Sequence, residues 1–234
     1  MKNIIQDKTK LVNSVFSSVY KNYDIMNDIM SLGAHRIWKN KLIDWMNPQA
    51  NNTLIDVASG TGDIAKLFSK KINNSGDVSC IEPNENMYQK GQSNLKSYKN
   101  IKWYKSNAEN LPFKENLFDF YTISYGIRNV SDINMTLKEA LRVLKPGGRF
   151  LCLEFSKVDN EILNTLYQNY SKVIPYLGKF IVGSSEPYDY LIDSIKKFYS
   201  QSELVSLIKT NGFSKVSYRN LTNGVSAIHS GWKI

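Results

Sequence analysis

From residue 53 onward, short apolar runs alternate with stretches of helical period. TLIDV (53–57) is followed by the turn ASGTGD and a helical stretch over 64–71. VSCIE (78–82) leads into a helical stretch over 85–95, and IKWYKS (101–106) and FDFYTIS (118–124) supply two further strands. Residues 133–144 place apolar side chains at Met135, Leu137, Leu141 and Leu144, and Pro146-Gly147-Gly148 is expected to end that helix. RFLCLEF (149–155) is the fifth strand. Strands and helices in this alternation predict right-handed βαβ units and a parallel sheet covered on both faces. Beyond 158 the pattern turns helical and aromatic, with Tyr167, Tyr170, Tyr176, Phe180, Tyr188 and Tyr190 among its residues. A helix over 202–211 follows, with Gly212 as its C-terminal stop. Two strands near 215–220 and 225–230 are placed to pair as an antiparallel hairpin at one sheet edge. At the other end Leu11, Val12, Val15, Phe16 and Val19 recur at the spacing of an amphipathic helix. The expected fold is α/β: a seven-stranded, mostly parallel sheet with an antiparallel edge hairpin, a helical N-terminus and a helical insertion. It reads as one domain over 1–234, with a helical cap (1–50), a core (51–158), the insertion (159–200) and a C-terminal helix and hairpin (201–234).

Composition narrows the class. At 42% hydrophobic and 22% charged residues the 234-residue chain is ordinarily globular, and it is long enough to bury a core without disulfides or metals. No run approaches the ~18 apolar residues of a membrane-spanning helix. Cys80 and Cys152 stand 72 residues apart, a spacing that suggests neither a disulfide framework nor a zinc site. MKNIIQDKTKL lacks a secretory apolar core, and residues 1–20 have no Arg, so the expected address is the cytoplasm. Thirty Lys and Arg against twenty-one Asp and Glu leave a net charge of +9, which brings nucleic acid or anionic lipid into consideration. Against nucleic acid, there is no basic run with interleaved aromatics and no RNA-binding module.

In an open parallel sheet, ligands bind beyond the carboxyl ends of the strands. Gly60-x-Gly62-x-x-Ala65 matches a dinucleotide fingerprint, with Glu82 twenty residues on. Asp56 at the head of the loop suits an amino-bearing ligand better than a pyrophosphate. Asp63, at the helix start, would repel a phosphate there. S-adenosylmethionine fits better: it has no phosphate, its sulfonium is positive, its amino group wants an acidic partner and its ribose diol wants a carboxylate. Asp56, Gly60, Glu82, Asn107 with Ala108, and Ser124 lie at the ends of four successive strands and form the candidate cofactor site.

These residues, with three longer motifs, resemble the class I methyltransferases and closely the C-methyltransferases of ubiquinone and menaquinone biosynthesis. The motifs are Tyr23-Asp24-x-Met26-Asn27-x-x-Met30-Ser31-x-x-x-His35-x-x-Trp38, Tyr125-Gly-Ile-Arg-Asn-Val-Ser-Asp132, and Arg142-Val-Leu-Lys-Pro-Gly-Gly-Arg-Phe150 continuing to Leu153-Glu154-x-Ser156. The likeness runs from Val15 to the closing LTNGVSAIHSGWK. It implies a Rossmann-like class I fold and cofactor contacts on Thr61, Glu82, Asn107, Ala108 and Ser124. Glu82 stands where the family usually has Asp, and Ser59 where Gly is common. The implied reaction is methyl transfer to a ring carbon of a polyprenyl quinol, either 2-methoxy-6-polyprenyl-1,4-benzoquinol or demethylmenaquinol; the fuller N-terminal signature leans toward the benzoquinol.

Such a carbon becomes nucleophilic when a neighbouring hydroxyl loses its proton. Arg128 is the candidate to stabilise the phenolate or orient a water, although the same position suits a sheet-end ion pair. Arginine is no general base, because its pKa exceeds ~12. Asn129 and Tyr23 are candidate orienting groups. His35 has the chemistry of a base but also the place of a packing or capping residue; His229 and both cysteines read as structural. The polyprenyl tail adds a membrane surface to the partners, and a homodimer or a quinone biosynthetic complex would leave no motif. A non-catalytic cofactor-binding subunit is the alternative reading.

Overall fold

The computed structural model describes residues 12, 14, 15, 17, 23–158 and 186–234, and does so without the side chains of Tyr23, Asp24 and Met26. Among them are α1 (Tyr23–Ser31), α2 (Ala34–Met46), β1 (Leu54–Val57), α3 (Asp63–Lys71), β2 (Val78–Ile81), α4 (Glu85–Asn94), β3 (Ile101–Tyr104) and β4 (Phe118–Ser124). Then come α5 (Ile133–Val143), β5 (Leu144–Phe155), α6 (Glu186–Lys197), α7 (Gln201–Thr210), β6 (Ser214–Leu221) and β7 (Ser226–Trp232). Of the expected N-terminal stripe, Val12 and Val15 are helical and Val15 is buried, whereas Leu11, Phe16 and Val19 lie outside the described residues. The expected insertion lies outside them up to residue 185; α6 is its described part.

One seven-stranded sheet runs in the order β3-β2-β1-β4-β5-β7-β6. The first five strands are parallel, while β7 pairs antiparallel with both β5 and β6. Strand side chains alternate between two cores. Leu54, Val78, Phe120 and Leu151 pack under Trp38, Leu42 and Phe68 of α2 and α3. Ile55, Tyr121, Ile123 and Phe150 pack under Leu137 and Ala140 of α5 and Leu204 and Ile208 of α7. Burial on both faces explains why these strands are continuous apolar runs in the sequence.

Two boundaries differ from expectation. The helix α5 ends at Val143, where Leu144 is already extended, and β5 begins there instead of at Arg149. Pro146-Gly147-Gly148 therefore lies inside the strand, as an irregularity between the Phe118–Leu144 and Phe120–Arg149 pairs. The residues after β7 hold it: Gly147 N donates to Lys233 O at 2.8 Å and Lys233 N to Gly148 O at 3.0 Å. β3 stops at Tyr104, two residues early, because the Ser106 hydroxyl turns to Asn110 O at 2.7 Å.

Candidate functional site

The strand order reverses between β1, which leads outward to β2 and β3, and β4, which leads the other way. A crevice opens there beyond the carboxyl ends. Both loops that form it turn through the left-handed region: Ala58 (φ 53°) after β1, and Tyr125 (φ 56°) after β4. They touch, since a Cβ on Gly126 would stand 2.6 Å from that of Ala58. Gly62 also needs to be glycine, with φ 90° and Leu95 too close for a Cβ.

The larger cavity, about 160 Å³, is lined by Gly60, Glu82, Asn107, Ala108, Ser124 and Asn129, together with Met87, Tyr125 and Val130. A small chamber beside it shares Ala58, Ser124 and Tyr125 and adds Lys39, Asp56, Thr61 and Asp63. All seven residues expected at a cofactor thus gather in two adjoining spaces. Glu82 is buried just past β2, and its two oxygens accept from Gly60 N and Asn84 N, both at 2.9 Å. Burial still outweighs these bonds and pushes its carboxyl up to about 7. Asp56 accepts from Thr122 Oγ1 at 2.7 Å through Oδ1, while Oδ2 is buried without a hydrogen-bond partner among the described residues. Burial raises it to about 7 as well. The Ser124 hydroxyl is likewise buried and unpartnered.

Ser59, the departure from glycine, faces the sheet with its hydroxyl: it donates to Asp56 O at 2.6 Å and accepts from Ile81 N at 3.1 Å. It thereby stitches β1 to β2 just below the loop. Asp63 departs from the sequence argument. Its carboxylate does not confront the crevice as an unpaired charge, because Lys39 Nζ sits 2.6 Å away and holds its pKa below the usual range against the desolvation. Asp63 therefore weighs less against a phosphate than its position alone suggests.

The three residues expected to act on the substrate are placed differently. Asn129 lines the crevice; its Oδ1 accepts from the Tyr190 hydroxyl of α6 at 3.0 Å. Arg128 lies in the short turn after β4 but is buried behind that wall, in an ion pair with Glu154 of β5. It also donates to Tyr125 O at 3.1 Å and Ser194 Oγ at 3.2 Å. The sheet-end ion pair, allowed by the sequence, is the geometry found. Tyr23 opens α1, and its side chain is outside the described set. His35 is buried away from both cavities with Nε2 2.8 Å from Asp28 Oδ1, and burial lowers its pKa. His229 is fixed in β7 by Gln201 O at 3.0 Å, and burial brings it down to about 4. Cys80 and Cys152 are buried free thiols.

Sequence reasoning missed Lys39, Glu154 and the role of Tyr190. Lys39 directly follows the Trp38 that closes the first motif, and Glu154 lies inside the last, so both were adjacent to recognised signals. Their partners, 24 and 26 residues away, were not visible.

A model of the ubiE/COQ5 methyltransferase family matches residues 3–233. A ubiquinone/menaquinone biosynthesis C-methyltransferase UbiE of Rickettsia bellii is 48% identical, covering 97% of this chain and 94% of its own. The namesake from Brucella suis is 47% identical, over 97% and 87%. Among solved structures, a SAM-dependent methyltransferase from Thermotoga maritima superposes with a TM-score of 0.66 at 20% identity, over 95% of this chain and all of that one. Another, from Aquifex aeolicus, gives 0.63 at 18%, over 84% and 89%. At those identities the structures speak to the fold.

Proposed function

The chain belongs to the ubiE/COQ5 methyltransferase family and is an S-adenosylmethionine-dependent C-methyltransferase of ubiquinone/menaquinone biosynthesis, and we propose that it methylates a ring carbon of a polyprenyl quinol held against the Asn129 wall of the β1–β4 crevice. One observation carries the reading: Asp56 and Glu82 are buried at neighbouring strand ends with no ion-pair partner among the described residues. Such groups are retained where a ligand completes them.

The residues fit the cofactor. Asp56 Oδ2, an orphaned buried acceptor, suits its ammonium. Glu82 suits the ribose diol, and Asn107 with Ala108 offers an amide and backbone to the adenine edge. Thr61 and Ser124 supply hydroxyls between them. When bound, S-adenosylmethionine supplies an electrophilic methyl on a sulfonium. The chain's own part is to hold the ring carbon in line and favour the phenolate. Arg128 is assigned the second task, as a fixed cation in a poorly solvated wall, with Glu154 and Tyr125 O setting its orientation and offsetting part of its charge. Asn129, oriented by Tyr190, presents its amide to the ring, and Tyr23 is placed by its motif to do the same.

The chain is read as one domain, with α2 of its helical cap packed on the sheet and on α3. Among the described residues no helix is long and apolar enough to cross a membrane. Ile25 of α1, Leu32 of the turn after it and Ile37 of α2 nevertheless stand exposed, with Arg36 and Lys41 close in the chain. Apolar side chains beside basic ones support docking on an anionic bilayer from the cytoplasmic side, where the tail resides.

The test is methyl transfer from labelled S-adenosylmethionine to short-tailed benzoquinol and naphthoquinol analogues under reducing conditions, read by mass spectrometry. Label on a ring carbon is expected; label on oxygen, or cofactor binding without transfer to either ring, would sink the reading.

A further inference from the structure

We propose that Lys39 binds the α-carboxylate of the cofactor, so that the small chamber beside the main cavity is a site for a zwitterion, with Asp56 opposite for the ammonium. This rests on the reading that the cofactor lies in the β1–β4 crevice. An amino-acid end carries one negative and one positive group, and a chamber that recognises both needs one buried partner of each sign. The chamber has residues of both kinds: Lys39 and Asp56 line it together, along with Thr61 and Ser124.

Lys39 is only 6% exposed, an unusual place for an ammonium. It belongs to the buried face of α2, beside His35, Trp38 and Leu42, so the packing of that helix on α3 sets its height above the loop. It bonds to Asp63, whose side chain is 43% exposed and which therefore leaves part of the charge to solvent. An ammonium has three donors, and that bond uses one. Asp63 thus serves as the anchor that aims Lys39, and two donors are left for a ligand in the chamber that Lys39 lines. The arrangement also accounts for a lysine so near Asp56 that does not pair with it: each is reserved for the opposite end of one ligand.

The experiment is calorimetric binding of S-adenosylmethionine, S-adenosylhomocysteine and decarboxylated S-adenosylmethionine to the wild-type protein and to Lys39→Gln. Glutamine can keep a hydrogen bond to Asp63, and a thermal melt followed by circular dichroism checks the fold. The wild type is expected to bind the decarboxylated compound about ten- to a hundredfold more weakly than the intact cofactor. Lys39→Gln should lose a similar factor for both carboxylate-bearing ligands and no longer distinguish the decarboxylated one. A variant that discriminates as strongly as the wild type would overturn the assignment, and so would a wild type that does not discriminate at all. The second comparison needs no variant to fold. Glu82→Gln, measured alongside, separates the two levels: unchanged cofactor affinity there would overturn the crevice reading itself and this inference with it.

Discussion

On the β1–β2 side of the crevice, Asp56 and Glu82 are buried with only hydroxyl and backbone N–H donors bonded to them. On the β4–β5 side Glu154 is equally buried but carries the Arg128 guanidinium. Desolvation raises all three carboxyls; on the second side a hydrogen-bonded guanidinium opposes it, whereas on the first Lys39 opposes it at Asp56 only through space. The difference separates two uses of a buried acid. The first pair is left incomplete in the free protein and can be completed by a ligand; the second is complete already and fixes the shape of a wall.

Breaking the closed pair should have the largest effect. Arg128→Met leaves Glu154 buried and unpartnered and is expected to lower unfolding stability by about 3–5 kcal/mol in urea denaturation. A loss under about 1 kcal/mol would mean that the two sides do not differ. Arg128→Lys, which keeps a cation at Glu154, should recover much of the fold yet leave turnover low.

The open pair should respond in affinity instead. Glu82→Gln is expected to weaken S-adenosylhomocysteine binding by about ten- to a hundredfold by calorimetry, while the melting temperature of the free protein stays level or rises. Matching losses in stability and affinity would erase the contrast.

Acidity sharpens it further. Asp56 and Glu82 have folded-state pKa values near 7, above the ordinary 3.8 and 4.5. Between about pH 4 and 7 the folded chain holds more protons at these groups than the unfolded chain does. Their contribution to stability is therefore full below about 4 and lost as pH rises through 7. Cofactor affinity should run the other way, rising from pH 6 to 8 by about tenfold for each carboxyl that must ionise, about a hundredfold for both, with proton release on binding at pH 6. Flat affinity over that range would show that one or both carboxyls do not contact the ligand.

How much of this could be read from the chain depends on how local each feature is. Five parallel strands and the hairpin were legible because most strands are apolar runs, and the rest short alternating stretches, closed by turns. The strand ends, and so the candidate cofactor residues that line the crevice, came with them. The start of β5 was not: Pro146-Gly147-Gly148 has every mark of a break, and only the approach of Lys233 from the far end of the chain turns it into strand. The same limit hid the Lys39–Asp63 and Arg128–Glu154 pairs. Arg128 stood out in its motif as a candidate for the substrate, but its burial behind the cavity depends on β5 lying next to β4. Nothing near position 128 announces that.

The smallest effect tests the joint between the two sides. Tyr190→Phe removes the hydroxyl that orients Asn129 and should cost about 1 kcal/mol of stability. Turnover should fall a few-fold with cofactor affinity unchanged; an equal drop in affinity would place Tyr190 on the cofactor's side of the crevice.

The position of β7 bears on how the molecule is made. A ribosome delivers β6 before β7, yet among the described residues β6 has no neighbour in the sheet except β7, and the free edge of β5 is the one β7 fills. During synthesis the nascent chain therefore carries an open strand edge on β5 and an orphan strand behind it, until Ser226–Trp232 emerges and slides between the two. Only then do Arg149 Nε and Ser230 Oγ meet at 2.7 Å. The last-made strand acts as the keystone, and the interval before its arrival is when the nascent chain is most exposed to edge-to-edge aggregation.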